Sequence, residues 1–403
     1  MKTSARYKAI LDLMTMIFAD KEPADNIINN YFRERRFIGS GDRRFISDKI
    51  WDIIRHRRRL TFTAQSEDCR KLLSVYVKDE NLEEIFDGSE YGLPQLSFGE
   101  KEELQNLNDK PYPPAVECEC PDWLFDKIKN ADLCKSLNTT AAADFRVNRG
   151  SREAAADQLR QEGFEVDFTP YSPMGLRAQT RINLNNCAAY QDGIIEVQDE
   201  ASQLAALLCD VSAQDKVIDY CCGAGGKSLA IASLLHGKGM IEAHDINRKR
   251  LEQLKPRMQR LQINNINTIE WVNEQALYTR FIIDAPCSGT GTWRRSPDGK
   301  YRLNQQKLDD LLRTQAEILE IAYKHTAVGG RIIYITCSVL PDENILQINR
   351  FLGNHQDVRI FDMQKLWQNK TGQPWLCKNS TCLELNPTIS NTDGFFVAVM
   401  EKC

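Results

Sequence analysis

The stretch Val217-Ile-Asp-Tyr-Cys-Cys-Gly-Ala-Gly-Gly-Lys-Ser228 joins a short apolar run to a glycine-rich turn and then to a helix-forming segment. Glycines let a backbone come close to a ligand, and a helix N-terminus presents unpaired N–H groups. The pattern therefore predicts a strand, a ligand-binding turn and a helix. A dinucleotide loop would also fit such a turn, although G-x-G-x-x-G is absent, and the spacing of Gly223 and Gly226 disfavours a Walker loop.

Predicted strands alternate with predicted helices around this turn. The strands are predicted at 216–220, 239–243, 281–283, 331–335 and 394–400. The helices between them are predicted at 227–235, 248–262 and 305–328. Alternation of this kind is typical of an α/β fold, so we expect a Rossmann-like, doubly wound sheet that is mostly parallel.

The length of the chain predicts more than one domain. It has 403 residues, which exceeds what one hydrophobic core usually organises. Residues 1–135 show apolar stripes with a helical period and predict an all-α domain. Residues 136–190 predict a strand, a helix and a strand, hence a small α/β subdomain. Residues 191–403 would then form the sheet domain.

An acidic residue follows the second predicted strand of the sheet domain. In Ile241-Glu-Ala-His-Asp-Ile-Asn247, Asp245 ends the apolar pattern about 20 residues after the glycine turn. A carboxylate at that point can accept hydrogen bonds from a ribose diol. The alternative is a solvated acid that caps the helix predicted at 248–262. Together, the turn and the acid favour a nucleoside cofactor.

Two further strands each deliver a cysteine to the same edge of the predicted sheet. The first motif is Phe281-Ile-Ile-Asp-Ala-Pro-Cys-Ser-Gly-Thr-Gly-Thr292, with Cys287 after the strand. The second is Ile332-Ile-Tyr-Ile-Thr-Cys-Ser-Val-Leu-Pro-Asp-Glu343, with Cys337 after the strand. Either cysteine alone could be a small buried hydrophobe. Combined with Asp284, Pro286 and the glycine turn, the pair indicates a site that uses a thiol.

Charge and cysteine content narrow the class of protein. The formal net charge is −4, yet residues 32–60 hold ten Lys/Arg against four Asp/Glu, so a nucleic-acid partner is compatible with the composition. The 13 cysteines have no zinc-finger spacing and the five histidines are scattered, so no metal is expected. The N-terminus predicts an amphipathic helix, and the absence of long apolar runs predicts a cytoplasmic protein with no membrane partner.

At these motifs the chain resembles the Sun/RsmB (NOL/NOP/Sun) family of RNA cytosine-5 methyltransferases, and the bacterial 16S ribosomal RNA branch in particular. The resemblance is carried by D-A-P-C-S-G-T-G at 284–291, T-C-S and P-D-E within 336–343, the turn at 219–227, Q-D-E-A-S at 198–202 and T-D-G-F-F-V at 392–397. Two segments depart from the family pattern. C-G-A-G at 222–225 replaces the usual A-A-P-G, and the short segment W-V-N-E-Q-A at 271–276 stands where the family has a G-D-A-like motif, so that either Asn273 or Glu274 would contact the adenine.

The resemblance implies a residue-by-residue assignment. Cys337 would be the nucleophile, Cys287 would assist release of the product, Asp284 would bond the N3/N4 edge of the cytosine, and Pro286 would shape the loop. It also implies a NusB-like first domain, an RRM-like second one and S-adenosyl-L-methionine as cofactor. The residues expected to bind that cofactor are Asp219, Cys221, Cys222, Gly223, Ala224, Gly225, Gly226, Lys227, Asp245, Asn273 and Asp284.

The expected partner is RNA, bound by a monomer. A basic cluster provides the candidate phosphate contacts, which are Arg55, Arg57, Arg58, Arg59, Arg294 and Arg295. The alternative for each of these arginines is a solvated helix face. Alternatives for the whole function are the same reaction on transfer RNA, a non-catalytic RNA-binding protein, and a methyltransferase acting on small molecules or proteins.

Overall fold

The chain forms two compact units. The structure is a computed structural model that describes residues 1–20, 22–180 and 182–403. The first unit comprises Met1–Thr139 together with Trp293–Asn304, and the second comprises Thr140–Thr292 together with Gln305–Cys403. No helix of the described residues is both long enough and apolar enough to cross a bilayer.

The first unit is helical, as its apolar stripes predict. Its core is formed by buried apolar residues of the first helices, among them Tyr7, Ile10, Ile46 and Ile50. The helices of residues 1–139 are α1 Thr3–Ala19, α2 Ala24–Glu34, α3 Ser40–Arg55, α4 Arg57–Ala64, α5 Cys69–Tyr76, α6 Leu82–Ile85, α7 Phe98–Gln105, α8 Pro114–Glu117, α9 Asp122–Ile128 and α10 Ala131–Leu137.

The second unit contains a small antiparallel sheet. Its strands are β1 Ala143–Val147, β2 Val166–Phe168, β3 Gly175–Ala178 and β4 Ile195–Val197, in the order β2-β3-β1-β4. Since β4 pairs with β1, this sheet extends beyond the boundary predicted at residue 190. The sequence signal failed there because β4 has only three residues.

The second unit also contains the large sheet, and five of its strands run parallel to one another. The strand order is β10-β12-β9-β8-β5-β6-β7, with β11 paired to β12. The antiparallel partner of β9 is β12, the predicted terminal strand. The strands are β5 Lys216–Asp219, β6 Met240–Ala243, β7 Ile266–Thr268, β8 Tyr278–Asp284, β9 Thr326–Thr336, β10 Val358–Ile360, β11 Cys382–Leu385 and β12 Phe395–Lys402.

Helices connect these strands. The helix predicted at 248–262 is two helices, because Pro256 lacks the N–H that an uninterrupted helix needs. The remaining helices of the chain are α11 Arg152–Gln161, α12 Ala188–Gln191, α13 Glu200–Leu207, α14 Gly226–Leu234, α15 Arg248–Glu252, α16 Leu254–Leu261, α17 Gly299–Arg302, α18 Gln305–His325, α19 Ile345–Asn354, α20 Met363–Thr371 and α21 Pro387–Ser390, with short 3₁₀ turns at Leu184–Asn186 and Thr290–Thr292.

The segment Trp293–Asn304, which contains α17, belongs to the first unit. The sequence predicted it within a continuous domain 191–403, and that boundary is corrected. The physical reason is a set of contacts with residues 1–139: Asp298 accepts a hydrogen bond from the Ala24 N–H at 3.1 Å, and Lys300 donates one to Asn138 at 2.7 Å.

Candidate active site

Three parallel strands end at one edge of the large sheet and position the site. The strand β5 ends at Asp219, β8 ends at Asp284, and β9 ends at Thr336, the residue before Cys337. Asp284 lies opposite Ile335 in the β8–β9 ladder, so the two cysteine-bearing loops leave the sheet side by side. Open α/β sheets bind ligands at this edge.

The structure brings the two predicted cysteines together. The sulfur atoms of Cys287 and Cys337 lie 3.3 Å apart, and both side chains are half-buried free thiols. The pKa of Cys287 lies well above its ordinary value, first because its thiol hydrogen-bonds to Cys337 and then because it is desolvated. Cys287 therefore keeps its proton at neutral pH.

An ion pair with a buried lysine lies close to Cys337. Lys227 Nζ and Asp284 Oδ2 are 2.7 Å apart, and the lysine side chain is 5% exposed. Burial lowers the pKa of Lys227, but attraction to Asp284, with smaller contributions from Cys337 and Asp219, outweighs it and raises the pKa. Lys227 thus places a buried cation close to Cys337.

Glu343 connects the two cysteine loops. Its carboxylate accepts hydrogen bonds from the Ser288 N–H at 2.8 Å, the Ser288 hydroxyl, the Ser338 hydroxyl at 2.5 Å and the Gln315 side chain at 3.0 Å. Gln315 also donates to the carbonyl of Pro286 at 2.9 Å, while the Pro286 ring itself is exposed. The sequence motif contained Glu343, but nothing in its pattern assigned it this task.

The glycine turn folds against Asp245. The N–H groups of Gly223 and Asn247 donate to the two carboxylate oxygens of Asp245 at 2.8 and 2.7 Å. Gly223 and Gly225 have φ of +56° and +82°, a region that favours glycine. Leu254 occupies the space that a side chain at residue 225 would need. Gly226 begins α14 with open space where its Cβ would be.

Asp219 has an orphaned acceptor beside the turn. One carboxylate oxygen accepts from Ser228 at 2.5 Å, and the other is buried with no hydrogen-bond partner among the described residues. Burial, partly offset by Ser228, raises the pKa of Asp219 to about 7. The free helix start, the two acids and the orphaned oxygen fit a nucleoside cofactor that carries an amino acid group.

Four other residues predicted to bind the cofactor have partners or surroundings within the protein itself. Burial and the charge of Asp219 raise the pKa of both Cys221 and Cys222, so these thiols stay protonated. The carbonyl of Ala224 accepts a hydrogen bond from Arg257 at 2.5 Å. Asn273 is exposed and its side-chain oxygen closes a local turn by accepting from the Gln275 N–H at 2.9 Å.

Sequence reasoning missed one apolar residue at this end of the sheet. Ile246 follows Asp245 directly and is 94% exposed. An apolar side chain so exposed next to a ligand-facing acid offers a surface for a flat ring. Its place directly after Asp245, beyond the end of the predicted strand, could have indicated this exposure.

The arginines predicted to contact phosphate lie in the first unit, and several of them already bind other groups of the protein there. Arg55 donates to the carbonyls of Asn138, Thr139, Trp293 and Arg294. Arg294 itself is only 7% exposed. Arg55 is thus engaged by backbone carbonyls and Arg294 is buried, and a role in RNA binding stays a prediction for both.

The other four arginines have different surroundings. Arg58 pairs with Asp122 at 2.9 Å and Arg59 with the buried Glu119 at 2.7 Å. Arg57 lies over aromatic rings, and Arg295 is half-buried with further contacts. For these four, a role in RNA binding stays a prediction.

Comparison with known proteins gives consistent matches. The family model described as 16S rRNA methyltransferase RsmB/F matches residues 206–401. The probable ribosomal RNA small subunit methyltransferase B of Synechocystis sp. is 30% identical over 299 residues, which cover 70% of this chain and 66% of that protein. Ribosomal RNA small subunit methyltransferase B of Proteus mirabilis is 31% identical over 297 residues, covering 70% and 65%. The chain thus spans slightly less than two thirds of these relatives.

Solved structures share the fold. The crystal structure of PH0851 matches with a TM-score of 0.79 at 21% identity and covers 99% of both chains. NSun6 from Pyrococcus horikoshii with SFG matches with a TM-score of 0.62 at 18% identity, covering 70% of this chain and 98% of that one. The predicted fold class, a Rossmann-like methyltransferase sheet preceded by helices, is confirmed.

Proposed function

Because the chain belongs to the Sun/RsmB family, described as 16S rRNA methyltransferase RsmB/F, we propose that it methylates carbon 5 of a cytosine in RNA. The observation that carries this proposal is the pair of sulfurs 3.3 Å apart, next to the Lys227–Asp284 ion pair at the carboxyl edge of the sheet. Methyl transfer alone needs no cysteine, whereas activation of a pyrimidine ring by covalent addition needs a nucleophile such as a thiolate, and a second thiol beside it can assist release.

The first step is addition of a thiolate to the base. The Cys337 sulfur forms a bond to carbon 6, and the electron pair of the C5–C6 double bond moves into the ring and makes carbon 5 nucleophilic. We assign Asp284 to the N3/N4 edge, where its carboxylate accepts a hydrogen bond from the N4 amino group and orients the ring for this addition. Lys227 holds the Asp284 carboxylate at 2.7 Å and keeps positive charge close to the sulfur.

S-adenosyl-L-methionine supplies the methyl group as a sulfonium donor when it is bound. Asp245 would hold its ribose, the start of α14 its carboxylate, and the orphaned oxygen of Asp219 its ammonium group. Ile246 would cover one face of the adenine. These assignments rest on the fit between the donor set and the chemistry of that molecule.

The second half of the reaction breaks the covalent adduct and releases the methylated base. A water molecule takes the proton from carbon 5, the electron pair of that C–H bond re-forms the C5–C6 double bond, and the bond between carbon 6 and the Cys337 sulfur breaks with its electron pair left on the sulfur. Cys287, which keeps its proton beside that sulfur, is the residue we assign to this release. The base must leave its stack to reach two half-buried sulfurs, which favours unpaired RNA.

Substitution of each cysteine tests the mechanism. Cys337→Ala should abolish both methyl transfer and adduct formation. Cys287→Ala should instead accumulate a covalent RNA–protein species, visible as a band that resists denaturant and disappears with ribonuclease. Cys403→Ser removes an exposed thiol elsewhere and should change neither. An active Cys337→Ala enzyme, combined with no trapped species for Cys287→Ala, would show the assignment to be wrong.

The substrate we propose is 16S ribosomal RNA, on the strength of the family description and the relatives. Bisulfite sequencing of RNA from cells with and without the gene tests it, with a missing 5-methylcytosine in 16S RNA as the expected result. Loss of a transfer-RNA site would favour the same reaction on that substrate. No change in any RNA would favour a non-catalytic RNA-binding protein.

A further inference from the structure

The first unit contains a cavity that the proposed reaction does not use. Its volume is about 480 Å³, within the roughly 300–1,000 Å³ usual for pockets that hold a small molecule. Residues 1–139 form most of its wall, and the segment Trp293–Asn304 completes it. The aromatic side chains in the lining are Phe18, Phe62, Trp123 and Tyr301.

Arg57 brings a positive charge to this cavity, whose lining also contains the exposed acid Glu67. Its guanidinium lies 4.0 Å from the centre of the Phe18 ring and 5.0 Å from that of Tyr301. The next two arginines each have a carboxylate partner, Asp122 for Arg58 and Glu119 for Arg59. Arg57 has no ion pair with any described residue, so its charge is available to an anion.

Two neighbouring residues add to the case for a polar, anionic ligand. The hydroxyl of Tyr301 is buried without a hydrogen-bond partner among the described residues, although buried hydroxyls normally have one. Lys300 is buried, and its ammonium donates to the neutral Asn138 side chain at 2.7 Å. Burial lowers the pKa of Lys300 to about 8, so at neutral pH it still carries most of its charge.

The aromatic rings, the positive charge and the hydroxyl of this cavity suit a nucleotide better than other ligands. Aromatic side chains stack on nucleobases and contribute about 1–3 kcal/mol per base. Arginine and lysine bind the attached phosphate. An aliphatic ligand would leave the Arg57 charge and the Tyr301 hydroxyl without a partner, and an inorganic anion would leave the rings without one.

We propose that this cavity binds one unstacked nucleotide of a single-stranded RNA segment, distinct from the cytosine that is methylated. The inference rests on the proposed function for the identity of the RNA. Its ring lies against the aromatic side chains, its phosphate pairs with Arg57, and a polar atom bonds the Tyr301 hydroxyl. Free nucleotides have the same chemistry, so the test separates the two sources.

The sharpest variant is Tyr301→Phe in the full chain. It keeps the ring and removes only a hydroxyl that has no protein partner, so the protein should be as stable as the parent or more stable. If the hydroxyl bonds the RNA, affinity for a short unstructured oligonucleotide falls about 3–10-fold, the equivalent of one lost hydrogen bond. Unchanged affinity, with stability unchanged or raised, would overturn the proposal.

Charge variants supply the control. Arg57→Gln and Arg36→Gln change the net charge equally, but Arg36 lies exposed outside the cavity. Arg57→Gln should weaken oligonucleotide binding clearly more than Arg36→Gln at the same salt concentration. Equal losses would mean a general electrostatic effect and would contradict a site.

Two further measurements identify the source and separate this proposal from the reaction mechanism. Oligonucleotides carrying 4-thiouridine should crosslink to cavity residues such as Trp123, and uridine monophosphate should compete only weakly. Strong binding of the mononucleotide without competition by RNA would overturn the RNA assignment. Tyr301→Phe should raise KM for RNA and leave kcat unchanged, whereas failure of the cysteine chemistry would appear in the Cys337 and Cys287 variants and leave binding at the cavity intact.

Discussion

At the scale of single residues, the site depends on a carboxylate that touches neither sulfur directly. Glu343 is fully buried, and its hydrogen bonds join the loop after β8 to the loop after β9. A buried acceptor with this many donors cannot be removed without leaving them unsatisfied. The separation of the Cys287 and Cys337 sulfurs therefore depends on Glu343.

We expect Glu343→Gln to lower kcat by at least about tenfold, because one carboxylate oxygen becomes an amide nitrogen that cannot accept from the Ser288 and Ser338 hydroxyls, and the cysteine loops lose their alignment. Cofactor affinity should change little, since the glycine turn has its own anchor in Asp245. Single-turnover methyl transfer measures the rate, and titration with the cofactor measures its affinity.

The matched control for that substitution is Glu317→Gln, the same change at an exposed position of α18. It should leave kcat intact. Equal kcat for the Glu343→Gln variant and the parent protein would mean that the carboxylate does not position the cysteines.

The sequence predicted the cysteines and could not predict Glu343, for a physical reason. Cys287 and Cys337 each follow an apolar strand, and parallel strands end at one edge, so their proximity could be inferred. Glu343 lies after β9, in a turn without periodicity, and its partners are far away in the chain. Asn273 was proposed from a family pattern that this chain lacks, and the structure gives it only a local hydrogen bond.

At the scale of elements, two loops approach so closely that both need glycine. The Gly291 N–H donates to the Cys337 carbonyl at 3.0 Å, and the Gly394 N–H donates to the Gly291 carbonyl at 2.8 Å. A side chain at residue 291 would collide with the backbone of Gly394. This contact ties the start of β12 to both cysteine loops.

Gly291→Ala should therefore destabilise the second unit by about 1–3 kcal/mol, the usual cost of overpacking, and reduce methyl transfer further by displacing Cys337. Denaturant unfolding and activity at saturating RNA measure the two effects. Gly353→Ala is the control, because this helical position has no neighbour within 4 Å of a new Cβ and should be neutral or stabilising. A Gly291→Ala protein as stable and active as the Gly353→Ala variant would contradict the argument.

Strands and helices could be predicted to different degrees. The predicted strands of the parallel core appear in the structure because their apolar runs are buried on both faces, as in β8 and β9. The strands β7, β10 and β4 have three residues each, too few for any periodic signal. The break between α15 and α16 could have been read from Pro256.

At the scale of the whole molecule, the first unit is built from two segments that are far apart in the sequence. The segment Trp293–Asn304 follows the second unit's cysteine motif directly, yet it packs within the first unit. Its central residue is Asp298, 5% exposed, which accepts from the Ala24 N–H at 3.1 Å and from Arg302 at 2.9 Å. The composition of this segment does not distinguish it from its neighbours in the sequence. Its membership of the first unit depends on contacts with residues far away in the chain, which a local pattern does not reveal.

The prediction at this scale concerns Asp298→Ala. It leaves the buried Ala24 N–H and the Arg302 guanidinium without that acceptor, at a cost of about 1–3 kcal/mol. Hydrogen exchange should then show faster exchange at the start of α2 and in α17, with the strands of the large sheet unchanged. Asp298→Asn keeps an acceptor oxygen and should show a smaller effect, and Asp309→Ala, exposed on α18, should show none in α2. Faster exchange confined to β8 and β9 would instead mean that this segment is structurally part of the second unit.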